Sequence, residues 1–235
     1  MRNAFLTGFR GFIVSSAVCG IGWVGATASA APITLAGDSV TGISATSIGG
    51  NSTLATPGTG SGQFPATEFP AHAVDQNTST KYLNFGNGDN TVSTATKGVG
   101  TGFYVTPALG ASTLTGIKLA TANDSPNRDP LTISIEGTNA TGAALNLGSS
   151  YTLISSSVNL GIGADPGRST AGPLVPLVSL TPYTSYRILV QSQRGSDNSV
   201  QYSELNLFGT AVPEPASLSL LGLGAIGLLT RRRRA

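Results

Sequence analysis

Six carboxylates are the candidates for an acid–base or ion-holding pair: Asp75, Asp124, Asp129, Glu136, Asp165 and Glu204. Cleaving a glycosidic bond needs two carboxyl groups facing one sugar linkage, and nothing in their spacing pairs any two of these. Ser39, in Gly37-Asp38-Ser39-Val40, would be a nucleophile only beside a base. The single histidine, His72, lies in a loop-like stretch upstream of most of the apolar runs, and a lone histidine is a poor basis for a metal site. The one cysteine, Cys19, falls within the first thirty residues, so the body of the chain has neither a thiolate ligand nor a disulfide staple. No Gly-rich phosphate loop opens a helix, which leaves nucleotide binding without support. Asn123-Asp124 and Arg128-Asp129-Pro130 gather polar groups in one connection. They read first as strand termini ordered by an Arg128–Asp129 pair and second as a rim that hydrogen-bonds a sugar. Tyr104, Tyr151, Tyr183, Tyr186 and Tyr202 are the rings on which a pyranose could stack.

The formal charge of +2 over 235 residues misleads, because six of the thirteen basic residues lie at the ends, at Arg2, Arg10 and positions 231–234. Between positions 31 and 211 there are seven Lys and Arg against ten Asp and Glu, a net of −3, with the cations scattered singly. Nucleic-acid binding needs clustered cations to displace phosphate counterions and is disfavoured.

Both ends read as addresses. Arg2 and Arg10 precede an apolar run over 12–26, and Ala28-Ser29-Ala30 supplies the small residues that a signal peptidase reads, with cleavage expected after Ala30. The run is shorter than the ~20 residues that span hydrocarbon, which argues against a retained anchor. At the other end Val212-Pro213-Glu214-Pro215 leads into an apolar segment over 216–230 and four arginines at 231–234. As a helix the segment would measure ~22 Å against a ~30 Å hydrocarbon core, so the arginines would snorkel to the headgroups. Their charge places them on the cytoplasmic side and the body of the chain outside. This tripartite tail resembles the PEP-CTERM sorting signal, with Pro213, Glu214 and Pro215 as its motif. The resemblance implies recognition by an exosortase-type membrane protease and delivery to the cell surface or an exopolysaccharide matrix.

The elements between the ends are strands. Short runs rich in β-branched and aromatic residues fall at 102–106, 113–121, 131–136, 151–158, 174–180, 185–191 and 203–208. Several alternate, as in Ile133 and Ile135 or Tyr186, Ile188 and Val190, which predicts one face on a core and one in water. With 33–35 added, the count is about eight, and no helical stripe appears between them, so the chain is expected to form an all-β jelly-roll sandwich. Residues 41–62, dominated by Gly, Ser and Thr, are expected to form loop. The expected organisation is a signal peptide over 1–30, a strand and loop over 31–62, the sandwich over 63–211 and the sorting segment over 212–235.

Three stretches resemble the discoidin-like (coagulation-factor C-type) galactose-binding fold. They are Ala73-Val74-Asp75-Gln76-Asn77-Thr78-Ser79-Thr80-Lys81-Tyr82-Leu83-Asn84-Phe85, the segment 121–137, and Tyr202-Ser203-Glu204-Leu205-Asn206-Leu207-Phe208-Gly209. Gln76 stands where the pattern has Gly, and Tyr82 where it has Trp. Carbohydrate-binding members hold a structural calcium ion at positions that match Asp75, Thr80 and Glu204, and Asn77 is a further oxygen donor in the same loop. Read from the residues alone, Asp75 equally caps backbone amides in an Asx-type turn. The resemblance implies an exported, non-catalytic module that binds carbohydrate or exopolysaccharide. A purely structural matrix protein is the first alternative and a glycan hydrolase the second.

Overall fold

The computed structural model describes residues 31–87 and 90–212. The signal segment with Ala28 and Ala30, and the Pro213, Glu214 and Pro215 motif with the apolar stretch behind it, lie outside the described residues. Twelve strands follow in order: β1 Ala31–Pro32, β2 Ser39–Ala45, β3 Thr53–Leu54, β4 Tyr82–Asn84, β5 Gly102–Thr106, β6 Ser112–Ala120, β7 Pro130–Thr138, β8 Thr152–Asn159, β9 Val175–Tyr183, β10 Ser185–Gln193, β11 Val200–Tyr202 and β12 Glu204–Ala211. Eight have five residues or more, and the other four are two- or three-residue edges and bridges. One sheet has the order β1-β12-β6-β9 and the other β3-β2-β5-β10-β7-β8, with β11 and β4 paired alongside. All pairings are antiparallel.

The register explains the core. Ile188 lies opposite Ile135 on one side and Phe103 on the other, and Tyr186 lies opposite Val105. On the facing sheet Leu207 meets Ile117 and Leu205 meets Leu119. These side chains are buried in one continuous core between the sheets. Removing each such side chain from water contributes about 1.5–3 kcal/mol.

Three expectations are corrected. Residues 39–45 form β2 rather than loop, paired with β5 from Ser39 opposite Thr106 to Ile43 opposite Gly102. Gly42 is required there because a Cβ would meet Pro70 Cγ at 2.7 Å and the Tyr82 hydroxyl at 2.8 Å. The first strand is Ala31–Pro32, and Ile33 continues only through a bond from its amide to the Leu207 carbonyl. The outer face of the six-stranded sheet is not in water at its centre. Tyr104, Glu136, Arg187 and Leu189 are buried there beneath residues 46–52 and the turns Gly142–Asn146 and Gly148–Ser150. That cover closes tightly: a Cβ on Gly148 would lie 2.0 Å from the Gly49 carbonyl oxygen.

A buried ion pair ties cover to sheet. Arg187 Nε donates to Glu136 Oε2 at 2.7 Å, its Nη1 donates to the Gly50 carbonyl and Ser52 Oγ, and its guanidinium lies 4.3 Å from the Tyr151 ring centroid. The Gly49 amide donates to Glu136 Oε1 at 2.9 Å. Two buried charges taken from water need partners of this kind to remain charged, and of this pair only Arg187 Nη2 is left without one among the described residues.

The two ends of the sandwich differ. At one end lie the 107–111 connection, the 183–185 turn and the exit of the chain, where the Val212 amide bonds the Ala111 carbonyl and Ser112 pairs with both Ala211 and Tyr183. The opposite end gathers the loops at 75–81, 121–129, 163–170 and 194–203, which are cross-linked through Asp124, Asp129 and Glu204.

Candidate functional site

The turn that carries Asp75 is built by the 3-10 segment Pro70–Val74, whose proline start and buried Ala73 and Val74 fix it against the core. Gln76 then takes φ 63°, the left-handed conformation that the missing glycine would take freely. Its side chain offsets that strain: Nε2 donates to the Thr34 carbonyl at 3.3 Å and to Asn206 Oδ1 at 2.8 Å. Tyr82 fills the aromatic slot edge-on to Phe64 and Tyr202, and its hydroxyl donates to the Gly102 carbonyl while accepting from Asn84 Nδ2.

Asp75, Thr80 and Glu204 come together across 129 residues of sequence. The Thr80 hydroxyl lies 2.7 Å from Asp75 Oδ2 and 2.8 Å from the Asn77 carbonyl. The Asn77 amide is shared between Asp75 Oδ1 at 2.9 Å and Glu204 Oε1 at 2.7 Å. Asn206 Nδ2 donates to Glu204 Oε2 at 2.9 Å. Burial, followed by a hydrogen bond to Asp75, pushes the Glu204 carboxyl up to about 7. The donor set of two carboxylates, a hydroxyl and a carbonyl is all oxygen, which is the chemistry a hard divalent cation takes. It contains only two acidic side chains, and among the described residues no group of three or more His, Cys, Asp or Glu is placed to hold a metal.

Beside this turn a cleft of about 190 Å³ opens on the outer face of the four-stranded sheet, lined by Gln76, Thr78, Lys118, Glu204, Asn206 and Phe208, together with Leu119, Ala120 and Ala171. The ladder positions these groups: Glu204, Asn206 and Phe208 on β12 alternate outward opposite Ala120, Lys118 and Gly116 on β6. The cleft therefore presents a half-buried ring, an ammonium and two amides on one surface. Sequence reading missed Lys118 and Phe208. The alternation of Leu205 and Leu207 with Asn206 and Phe208 was the available signal, since it turns the latter pair away from the core.

The polar connection is ordered differently from its sequence pairing. Arg128 donates to Asp197 Oδ1 at 2.9 Å, while Asp129, fully buried, receives Arg168 through both oxygens at 2.9 and 2.7 Å and Arg194 at 3.3 Å. The expected Arg128–Asp129 pair is thus replaced by partners distant in sequence. Asp124 receives Lys81 Nζ at 2.9 Å and Gln201 Nε2 at 2.6 Å. Burial raises its carboxyl, but the Lys81 and Gln201 bonds outweigh that and leave it below its ordinary value.

The tyrosines do not form a platform. Tyr104, Tyr183, Tyr186 and Tyr202 are buried, and Tyr151 lies beneath Arg187. Ser39 opens β2 opposite Thr106, whereas His72 Nδ1 is bonded to the Lys81 carbonyl and its ring packs on Phe69. Asp75 and Glu204 are in hydrogen-bond contact, closer than the ~5–9.5 Å that separates the carboxyl pairs of glycosidases. Glu136 is locked on Arg187, and Asp165 on Arg168 at 2.5 Å.

Residues 211–234 match the PEP-CTERM protein-sorting motif, which marks this chain as an exported cell-surface or extracellular protein. No curated protein matches the chain. Among solved structures, the chain is similar to CBM32-3 of a family 31 glycoside hydrolase from Clostridium perfringens, with TM-score 0.45, 13% identity, and coverage of 63% of this chain and 86% of that one. It is also similar to CpGH89CBM32-5 from Clostridium perfringens, solved with GalNAc-beta-1,3-galactose, with TM-score 0.43, 13% identity, and coverage of 73% and 94%. A third is chitosan-binding module 1 of a chitosanase/glucanase from Paenibacillus sp. IK-5, with TM-score 0.40, 15% identity, and coverage of 76% and 99%.

Proposed function

We propose that this chain is a non-catalytic surface module that holds a carbohydrate polymer in the cleft between the Asp75 turn and the outer face of β6 and β12. The observation that carries the reading is the lining of that cleft, where the Phe208 ring stands beside Gln76, Lys118 and Asn206. A sugar presents an apolar ring face and in-plane hydroxyls, and an aromatic flanked by amides and an ammonium matches both. The sorting motif supports the same reading, because exosortase-type processing would leave the module at the cell surface or in an exopolysaccharide matrix, where such polymers are the surroundings.

Calcium belongs to this proposal as a brace. Asp75, Thr80 and Glu204, with the Asn77 carbonyl, would hold the ion, and its charge would relieve the crowding of the two carboxylates. With the loop fixed, Gln76 and Thr78 keep their places at the cleft wall. The ion would take no part in bond-breaking.

Retention on a panel of insoluble polysaccharides tests the reading. The chain is expected to be retained on at least one polymer and Phe208→Ala to be lost from it, with both proteins melting alike. No retention on any polymer would favour a purely structural matrix role, and release of soluble sugars from the polymer would favour a hydrolase.

A further inference from the structure

At the end where the chain leaves the sandwich, large apolar side chains stand in solvent. Leu35, Leu109 and Val212 are each about two-fifths to one-half exposed, and on the edge strand β9 Val178 and Leu180 are 68% and 87% exposed. Backbone bonds hold the first three together. The amides of Leu35 and Ala108 both donate to the Asp38 carboxylate, at 2.8 and 2.9 Å, and the Val212 amide donates to the Ala111 carbonyl two residues beyond Leu109. Leu180 precedes Tyr183, which pairs with Ser112 at the start of β6, beside Ala211.

Charge is distributed in the opposite sense. The described ion pairs other than Arg187–Glu136 lie at the far end, from Lys81–Asp124 to Arg168–Asp129 and Arg128–Asp197. At the exit end the loops 35–38, 107–111, 139–142 and 181–184 contain no Lys, Arg, His or Glu and one Asp, Asp38, which is buried and occupied by two amides. Scattered exposed leucines are ordinary. A cluster of them at a pole whose one carboxylate is buried is a docking surface.

The position of the tail identifies the occupant. The apolar segment begins at Ala216, four residues after Val212, and four residues reach at most ~14 Å. A headgroup layer is ~5–8 Å deep on each side of the hydrocarbon. While that segment lies in a bilayer, the exit end is held at the lipid surface, and the charged end points away from it. We propose that Leu35, Leu109, Val178, Leu180 and Val212 form a lipid-docking rim that seats the sandwich on the outer face of the membrane before the sorting tail is cut. This rests on the reading of 211–234 as a membrane-inserting sorting signal. Because the rim has no cation, docking is apolar and independent of anionic lipid and of salt. Cutting the tail would leave only the rim in contact, and a few leucines hold a protein on lipid weakly, so the same face would then release.

The test uses the full chain with Cys19→Ser and single cysteines at Leu109, Leu180, Ser196 or Leu221, each carrying an environment-sensitive fluorophore, in phosphatidylcholine vesicles containing a lipid-borne quencher. Probes at 109, 180 and 221 are expected to be quenched severalfold more strongly than the probe at 196, and the quenching at 109 and 180 relative to 221 is expected to be the same with and without anionic lipid. Quenching at 221 with 109 and 180 matching 196 would overturn the lipid rim and leave the sorting reading intact. An unquenched probe at 221 would overturn both. Excimer formation between pyrene-labelled 109 positions in detergent without lipid would make the face a contact between copies and overturn the lipid assignment.

Discussion

The ion-free protein should lose stability as pH rises through neutrality, and Glu204 should be the cause. Its carboxyl is pushed from an ordinary 4.5 up to about 7, because the side chain is buried and contacts Asp75. The folded state then binds the Glu204 proton more tightly than the unfolded chain does. The stability this proton supplies is complete below pH ~4.5 and is lost progressively as pH rises through ~7. At about 1.4 kcal/mol per pH unit, the difference across the window is on the order of 3 kcal/mol. For a sandwich of this size that corresponds to roughly 6–12 °C in melting temperature. Calorimetric melts in chelator at pH 5 and pH 8 measure it, with Glu204→Gln as the reference that removes the titration of the Glu204–Asp75 pair and retains that of the groups remote from it. Calcium should reverse the trend, because the ion takes the place of the proton and its stabilisation is larger at pH 8 than at pH 5. A wild-type profile parallel to that of Glu204→Gln, or an equal calcium shift at both pH values, would refute the reasoning.

Three further outcomes follow from the same geometry. Gln76→Ala should destabilise more than Gln76→Gly in denaturant unfolding, by about 1 kcal/mol, because alanine keeps the left-handed strain and loses the bonds to Thr34 and Asn206, whereas glycine loses the bonds but removes the strain. Glu136→Ala should cost about 3–5 kcal/mol by leaving Arg187 buried and unpaired, and Glu136→Leu combined with Arg187→Met should recover much of it, as read from urea midpoints. Tyr82→Phe should cost about 1–2 kcal/mol, since Asn84 Nδ2 and the Gly102 carbonyl each lose a buried partner.

Strand β5 was legible in the sequence to the residue, because Phe103, Tyr104 and Val105 stand between a glycine and a proline-containing turn. Strand β2 was not. Its place depends on a close approach of Gly42 to Pro70 and Tyr82 that exists only after folding, and its composition is that of a loop. The Asp75, Thr80 and Glu204 set came from the resemblance to the galactose-binding fold and not from the residues alone, which read equally as an Asx-type turn; the fold brings the three side chains to one turn around the Asn77 amide. The ion pairs were not: Arg187–Glu136 and Arg168–Asp129 join residues 51 and 39 apart, through a strand register and a loop crossing that residue types do not encode. Adjacency suggested Arg128 with Asp129, but the 3-10 turn Pro126–Arg128 directs Arg128 toward Asp197 and leaves Asp129 to the two other arginines. The covered outer face escaped for the same reason, since nothing in 46–52 marks it as a lid over β7 and β10.

The central claim, that the cleft beside the Asp75 turn is where polymer binds, is tested most directly by mapping amide chemical shifts while soluble fragments of a retained polysaccharide are titrated into the isotope-labelled chain with calcium present. The account predicts that the perturbed amides cluster at Gln76, Thr78, Lys118, Asn206 and Phe208. Perturbations confined to the 123–129 and 194–198 loops, with Lys118 and Phe208 unmoved, would contradict it.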